Sequence, residues 1–269
     1  MKYALLDTDF ISKTHTVRID DDNHLIDRIL EIPGYSFICH EQTIVELGRH
    51  NSHAPAWLEK QINTGTIDKY TDMRILNEMS GLYGQLAPYR FTNMVKVACD
   101  AFNADYFAEH YSDLGNLDYR LITTDVYLTK LKELDTNIGE GNNLGEIKAY
   151  VLLQWLSIQL GDELFYFCSD DGDARNGILN IDGIDVRCIT LVSAYQRLHI
   201  ESSKFTDQRA EPYINAILGY FAAHGQVNIR VIEASAVNRY QRVPCEQVLR
   251  EIYEDKFVEL ENGMLKYKQ

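Results

Sequence analysis

A chain of 269 residues, 45% of them apolar, can bury the core of one large domain, or of one domain with a small companion. Its net charge of −14 excludes a general attraction to nucleic acid, so any such contact needs a local cationic patch or a bound cation. The five cysteines show no metal-type spacing; Cys39, Cys168 and Cys188 fall in strand-like runs as small hydrophobes, which suits a reducing, cytoplasmic setting.

The opening MKYALLDTDF reaches acidic residues too soon for a signal peptide. Tyr3–Leu6 reads as a short strand with Asp7 at its end. Ser36–Cys39 reads as a second, followed by a helix over Thr43–Arg49. From Pro55 to about Glu133 the pattern is mainly helical, with Leu121–Leu134 as an amphipathic helix, and Thr136–Asn143 is a loop containing Gly139 and Gly141. Gly145–Gly161 is the clearest helix, with Asn142 or Asn143 as its cap and Gly161 as its stop. The longest apolar run, Ile147–Leu160, is interrupted by Lys148, Gln154 and Gln159 and is too short to cross a bilayer, so no membrane partner is expected. Leu164–Ser169 is a strand, Asp173–Leu179 a short helix, Val186–Leu191 a strand and Ser193–Leu198 a helix. Strands alternating with helices imply an α/β fold, a parallel sheet packed by helices on both faces.

After about residue 205 the pattern changes, which divides the chain into 1–205 and a C-terminal α+β module, 206–269. A helix from Pro212 is followed by a strand over Val227–Ile232, a helix over Cys245–Tyr253 and a hairpin turning at Asn262-Gly263. The expected register opposes Leu260 to Leu265, Glu259 to Lys266 and Val258 to Tyr267. Helix, strand, helix, hairpin is the order of a winged-helix module with its middle helix unassigned. The module carries a net charge of −1 against −13 for the rest, so it has no plainly basic face; it fits a protein partner or a homodimer contact as well as nucleic acid.

Ligands of open parallel sheets bind beyond the carboxyl ends of the strands. Asp7 ends the first strand. In FCSDDGDARNG, Asp170 and Asp171 end a later one, with Asp173 just beyond. Glu46 in HEQTIVELG and Glu146 in NNLGEIKAY lie on helices. Glu146 is near an N-terminus, where the dipole favours a carboxylate, and Gly145 before it permits close backbone approach. Such acids at one sheet edge repel unless a hard cation, Mg²⁺ or Mn²⁺, takes their oxygens as ligands. That chemistry suits phosphodiester hydrolysis, with Arg175 placed to pair with phosphate or to orient the carboxylates.

LLDTDFIS around Asp7, Glu46 about forty residues later, LGEIKAY around Glu146, FCSDDGDAR and IDVRCITLVSAYQRL together resemble the PIN domain, a metal-dependent ribonuclease fold. The resemblance spans roughly residues 1–200. It implies a three-layer α/β/α domain with a helical insertion, RNA as substrate, and a Mg²⁺ or Mn²⁺ site built from Asp7, Glu46, Glu146 and Asp170 or Asp171, with Asp173 a further candidate ligand. The hundred residues between Glu46 and Glu146 exceed what a compact member needs, and the C-terminal module lies outside the likeness, which argues against a toxin role.

Simpler roles stand beside these. Asp7 or Asp173 could cap a helix, Glu146 could open a capping box, and Asp170 and Asp171 could form a turn. His15, His40, His50 and His53 show no metal spacing, and Asp20–Asp22 reads as a solvated loop. Two other functions fit parts of the pattern. Asp7 and Asp9 resemble the acid pair of haloacid-dehalogenase-type phosphatases, with LITTD at 121–125 as the threonine motif and Lys148 as a conceivable lysine; Glu46 and Glu146 are then left without roles. Alternatively the fold is a non-catalytic scaffold.

Overall fold

The computed structural model describes residues 1–50, 52–139, 143–161, 163–202, 205 and 210–269, with His50 described by its backbone only. Asn142 and Gly141 of the expected loop, and all but residue 205 of the junction at 203–209, lie outside the described residues.

The central sheet is built from β1 (Lys2–Leu6), β2 (Tyr35–His40), β3 (Ile67–Tyr70), β4 (Phe165–Cys168) and β5 (Val186–Ile189). All pair in parallel, in the order β3-β2-β1-β4-β5. The short strands are buried on both sides, as parallel strands covered by helices must be. Their side chains alternate between two cores. Ala4, Leu6, Phe37, Cys39, Tyr166 and Cys168 point into one. Leu5, Ile38, Phe165 and Phe167 point into the other.

The first core is covered by α1 (Thr8–Thr16), α2 (Leu25–Leu30), α4 (Ala54–Asn63) and α12 (Leu191–Glu201). The second is covered by α5 (Asp72–Tyr83), α6 (Ala87–Phe102), α9 (Thr124–Ile138), α10 (Leu144–Leu160) and α11 (Gly172–Leu179), with short helices α7 (Tyr106–His110) and α8 (Ser112–Gly115) beside them. Helix α3 (Glu41–His50) leaves the end of β2 directly. The result is a three-layer α/β/α arrangement. The segment read as mainly helical contains strand β3, a correction: IDKY is only four residues, too short for a period to show. Helix α9 also runs to Ile138, into the expected loop. No helix among the described residues is long and apolar enough to cross a membrane.

The C-terminal residues form α13 (Ala210–Ala223), β6 (Asn228–Ile232), β7 (Tyr240–Pro244), α14 (Cys245–Tyr253), β8 (Phe257–Glu259) and β9 (Leu265–Tyr267). Strand β7 stands where a winged-helix module would carry its middle helix, and the four strands pair as β7-β6-β9-β8. Ile214, Ile217, Val248, Leu249, Ile252 and Phe257 join the first core, so this segment packs as a continuation of the main body.

The hairpin register is one residue away from the expected one. Phe257 opposes Tyr267, Val258 opposes Lys266 and Glu259 opposes Leu265. The loop therefore holds three residues, Glu261–Gly263, with Gly263 at φ +75°. A one-residue slip turns every side chain over, and contacts with the body favour this choice. It buries Phe257 and Leu265 and aims Glu259 at the buried Arg197, whose Nε lies 3.2 Å from Oε1. The loop tip sits on β5: Cys188 N–H donates to Glu261 O at 2.6 Å and Thr190 Oγ1 to Gly263 O at 3.0 Å.

Candidate active site

Asp7 follows the last residue of β1, and its backbone N–H donates to Cys168 O at 3.1 Å, which aligns it with Ser169 beyond β4. It occupies the N-cap position of α1, yet its side chain makes no cap hydrogen bond. Ser169 stands beside the Asp7 carboxyl, and Glu146 and Asp9 are its charged neighbours. Burial raises the Asp7 pKa to about 7. The neighbouring Ser169 hydroxyl opposes the rise, and the Glu146 charge adds to it.

Glu146 lies in the first turn of α10. Burial also raises its pKa to about 7, with Glu46 and Asp171 adding repulsion against a helix-terminal backbone hydrogen bond. Glu46 comes from α3 and is fixed by two donors, Thr8 Oγ1 at 2.8 Å and Gln42 Nε2 at 3.1 Å. Its carboxylate rests against Gly145, where a Cβ would lie 2.5 Å from Glu46 Oε2. The close approach expected at Gly145 is made by this side chain. Asp7, Glu46 and Glu146 thus gather at the carboxyl end of the sheet from β1, α3 and α10.

The acids after β4 divide among different surroundings. Ser169 faces Asp7, and the alternation of side chains turns Asp170 toward α1 and α12. Asp170 Oδ1 accepts the Leu191 N–H at 2.9 Å, and its charged neighbours are Lys13, Asp9 and Arg175. Burial raises its pKa, with Lys13 opposing. Asp171 caps α11 by accepting the N–H groups of Asp173 and Ala174 at 2.8 and 3.2 Å, the role expected of Asp173, and it remains exposed beside Glu146. Asp173 is exposed. Arg175 Nη1 donates to Ser169 O at 3.0 Å, under the strand end that meets Asp7.

The core set fits a hard divalent cation by its chemistry: only carboxylates, two of them, Asp7 and Glu146, unfavourable as anions because of burial and neighbouring acids. These oxygens stand farther apart than a closed ligand shell. Among the described residues, the set of three such side chains whose ligand atoms all lie within 4.8 Å of one another is His40, Glu41 and Asp72. Like charges stand off, and Thr8 and Gln42 hold Glu46.

The His40 cluster itself does not suit a cation. The Gln42 N–H donates to His40 Nδ1 at 3.2 Å, which leaves the ring proton on Nε2, 3.3 Å from Asp72 Oδ1. Asp72 Oδ2 already accepts from Lys148 Nζ at 2.8 Å, and Lys148 also donates to Asp135 at 2.7 Å, which in turn accepts from Tyr111. Burial works against the Asp72 charge, but Lys148 and His40 hold its pKa well below the usual range. This is an internal network that ties α10 to α5 and α9. It went unseen in the sequence, although a lysine in a helix that is apolar nearly all round is a signal for one.

The features of the phosphatase reading are dispersed. Thr123 caps α9 and Thr124 lies beside Ser80 of α5, while Lys148 is enclosed by Asp72 and Asp135. Asp9 pairs with Lys13 at 2.7 Å within α1. All five cysteines are buried and unpaired, and Asp20–Asp22 are exposed. No family model matches the chain, and neither curated proteins nor solved structures show a significant similarity to it.

Proposed function

We propose that the chain is a PIN-like, divalent-metal-dependent nuclease and that its substrate is RNA. The observation that carries this reading is the pairing of Asp7 and Glu146 at the sheet's carboxyl edge, each buried enough to raise its pKa to about 7 and each adding repulsion to the other or to its neighbours. Carboxylates kept in so unfavourable a state are a common mark of a functional centre. The strand order and the position of Glu46 against Gly145 support the same reading.

Asp7, Glu46 and Glu146 would hold Mg²⁺ or Mn²⁺, with Asp171 at the rim. The ion would supply charge neutralisation at the scissile phosphate and a more acidic bound water. The chain's own residues orient this set. Thr8 and Gln42 fix both oxygens of Glu46, and Ser169 borders Asp7. Arg175, held under Ser169, and Lys13, beside Asp9 and Asp170, place positive charge at the flank where a phosphate would approach. The test is Mn²⁺-dependent cleavage of RNA and DNA oligonucleotides by the wild type, Asp7→Asn and Glu146→Gln. Cleavage should need the metal and be lost in both variants; activity that survives both substitutions would overturn the assignment.

A further inference from the structure

On the outer side of the β6–β7 ladder, Arg230 stands directly opposite Arg242. Like charges in directly opposed positions destabilise a sheet, and this chain has abundant acids that could have relieved the pair. Both arginines are exposed, and neither has a carboxylate partner among the described residues. The Arg230 guanidinium lies 5.1 Å from the centre of the Tyr240 ring, itself 46% exposed. On one side Arg230 enters a groove of about 360 Å³, which it lines together with Lys13, Asp170, Arg175, Tyr220 and Phe221. On the other, Tyr240 borders a wider cleft of about 690 Å³ lined by the exposed Arg187, which has no ion-pair partner among the described residues, and also by Asp185, Glu259 and Glu261, of which Glu259 is taken up by Arg197.

We propose that this line is the path of a single-stranded nucleic acid, leading from the C-terminal sheet through the groove to the acidic centre. The inference rests on the nuclease reading for its destination, but not for its chemistry. Lys13, Arg175 and Arg230 share the groove with Tyr220 and Phe221, Arg187 shares the cleft with Tyr240, and Arg242 stands opposite Arg230 between them. That is the composition that grips a phosphate backbone while offering ring faces to unstacked bases. A duplex hides its base faces and has no use for the aromatic positions. The groove reaches the centre through shared neighbours: Asp170 lines it, and Asp9 borders both Asp170 and Asp7. The opposed arginines are then poised for phosphates, whose charge removes their mutual repulsion.

The probe is fluorescence anisotropy with labelled single-stranded RNA, single-stranded DNA and duplex DNA of equal length, in EDTA, over a salt series. The Arg230→Thr/Arg242→Thr double variant removes two phosphate contacts. At about 0.7 counterions released per contact, single-strand affinity at 0.1 M salt should fall roughly 25-fold, and the log–log salt slope should be less steep by about 1.4. Its melting temperature should hold or rise, because a repulsion has been removed. Arg230→Lys/Arg242→Lys should keep most of the affinity. Unchanged affinity and slope, equal or better binding of duplex, or a loss of binding accompanied by several degrees of melting temperature would overturn the path. The two readings can fail separately. Binding lost in the double variant while the wild type cleaves nothing with Mn²⁺ would sink the nuclease and leave the path; cleavage with unaltered binding would do the reverse.

Discussion

Replacing Asp7 by Asn should stabilise the metal-free protein, a result opposite to that of most substitutions at a buried polar site. The Asp7 pKa is raised from 3.8 to about 7 in the folded chain. The native state therefore holds a proton that the unfolded chain releases, and stability falls as pH rises between those two values. About three units at roughly 1.4 kcal/mol each set a ceiling near 4 kcal/mol above neutral pH. Asp7 is only partly enclosed, and water reaching it should reduce this to about 2 kcal/mol. Asn keeps the size and polarity of the side chain beside Ser169 and places no charge beside Glu146. For a chain of this length, about 2 kcal/mol corresponds to roughly 4 °C in melting temperature. Thermal and urea unfolding in EDTA from pH 4 to 8.5 should show no gain at pH 4, a widening gap up to about pH 7, and a plateau above it. Saturating Mn²⁺ should reverse the order, since a ligand at a hundredfold excess over its Kd adds about 2.7 kcal/mol to the form that binds it. A variant less stable than wild type at pH 8 in EDTA, or a gap that ignores pH, would refute the reasoning.

Gly145→Ala should improve helix stability by up to about 1 kcal/mol, yet its methyl would displace the Glu46 carboxylate; calorimetric titration should find weaker Mn²⁺ binding in a protein that melts no lower than wild type. Lys148→Met leaves Asp72 and Asp135 without their shared cation, at a cost of about 3–5 kcal/mol, and should lower the melting temperature by roughly 6–10 °C at pH 7.5. Gly263→Ala combines a positive φ with a Cβ 3.0 Å from Cys188 O and should cost about 1–3 kcal/mol in urea unfolding. Gly263→Asn relieves the backbone strain but not the contact, so it should recover only part of that loss.

Much of this architecture could be read from the chain because it is written in local terms. Tyr3–Leu6 and Leu164–Ser169 are apolar runs that stop at acids, and the helix ending at Gly161 is long, apolar nearly all round and closed by a glycine. Gly145 beside Glu146 announced a close approach, which Glu46 supplies. The rest depends on long-range partners. Asp170 and Ser169 are adjacent, and only the register with β1 decides that Ser169, not Asp170, faces Asp7. The hairpin pattern at Asn262-Gly263 favoured pairing Leu260 with Leu265 and Glu259 with Lys266, and the contacts that set the other register come from Arg197 and Cys188, more than sixty residues away. Arg230 and Arg242 lie twelve positions apart in a module of near-zero net charge; only strand pairing makes them neighbours.

The seating of the Glu261–Gly263 tip on β5 also bears on how the margin of the sheet is covered. Strand β5 is the outermost of the parallel sheet, and the Cys188 amide taken up by Glu261 would otherwise point outward and be free to pair. The final hairpin is thus a guard against intermolecular strand addition. Proteolytic removal of the last dozen residues would leave a raw margin to which other copies could add, turning a discrete molecule into the seed of a growing ribbon.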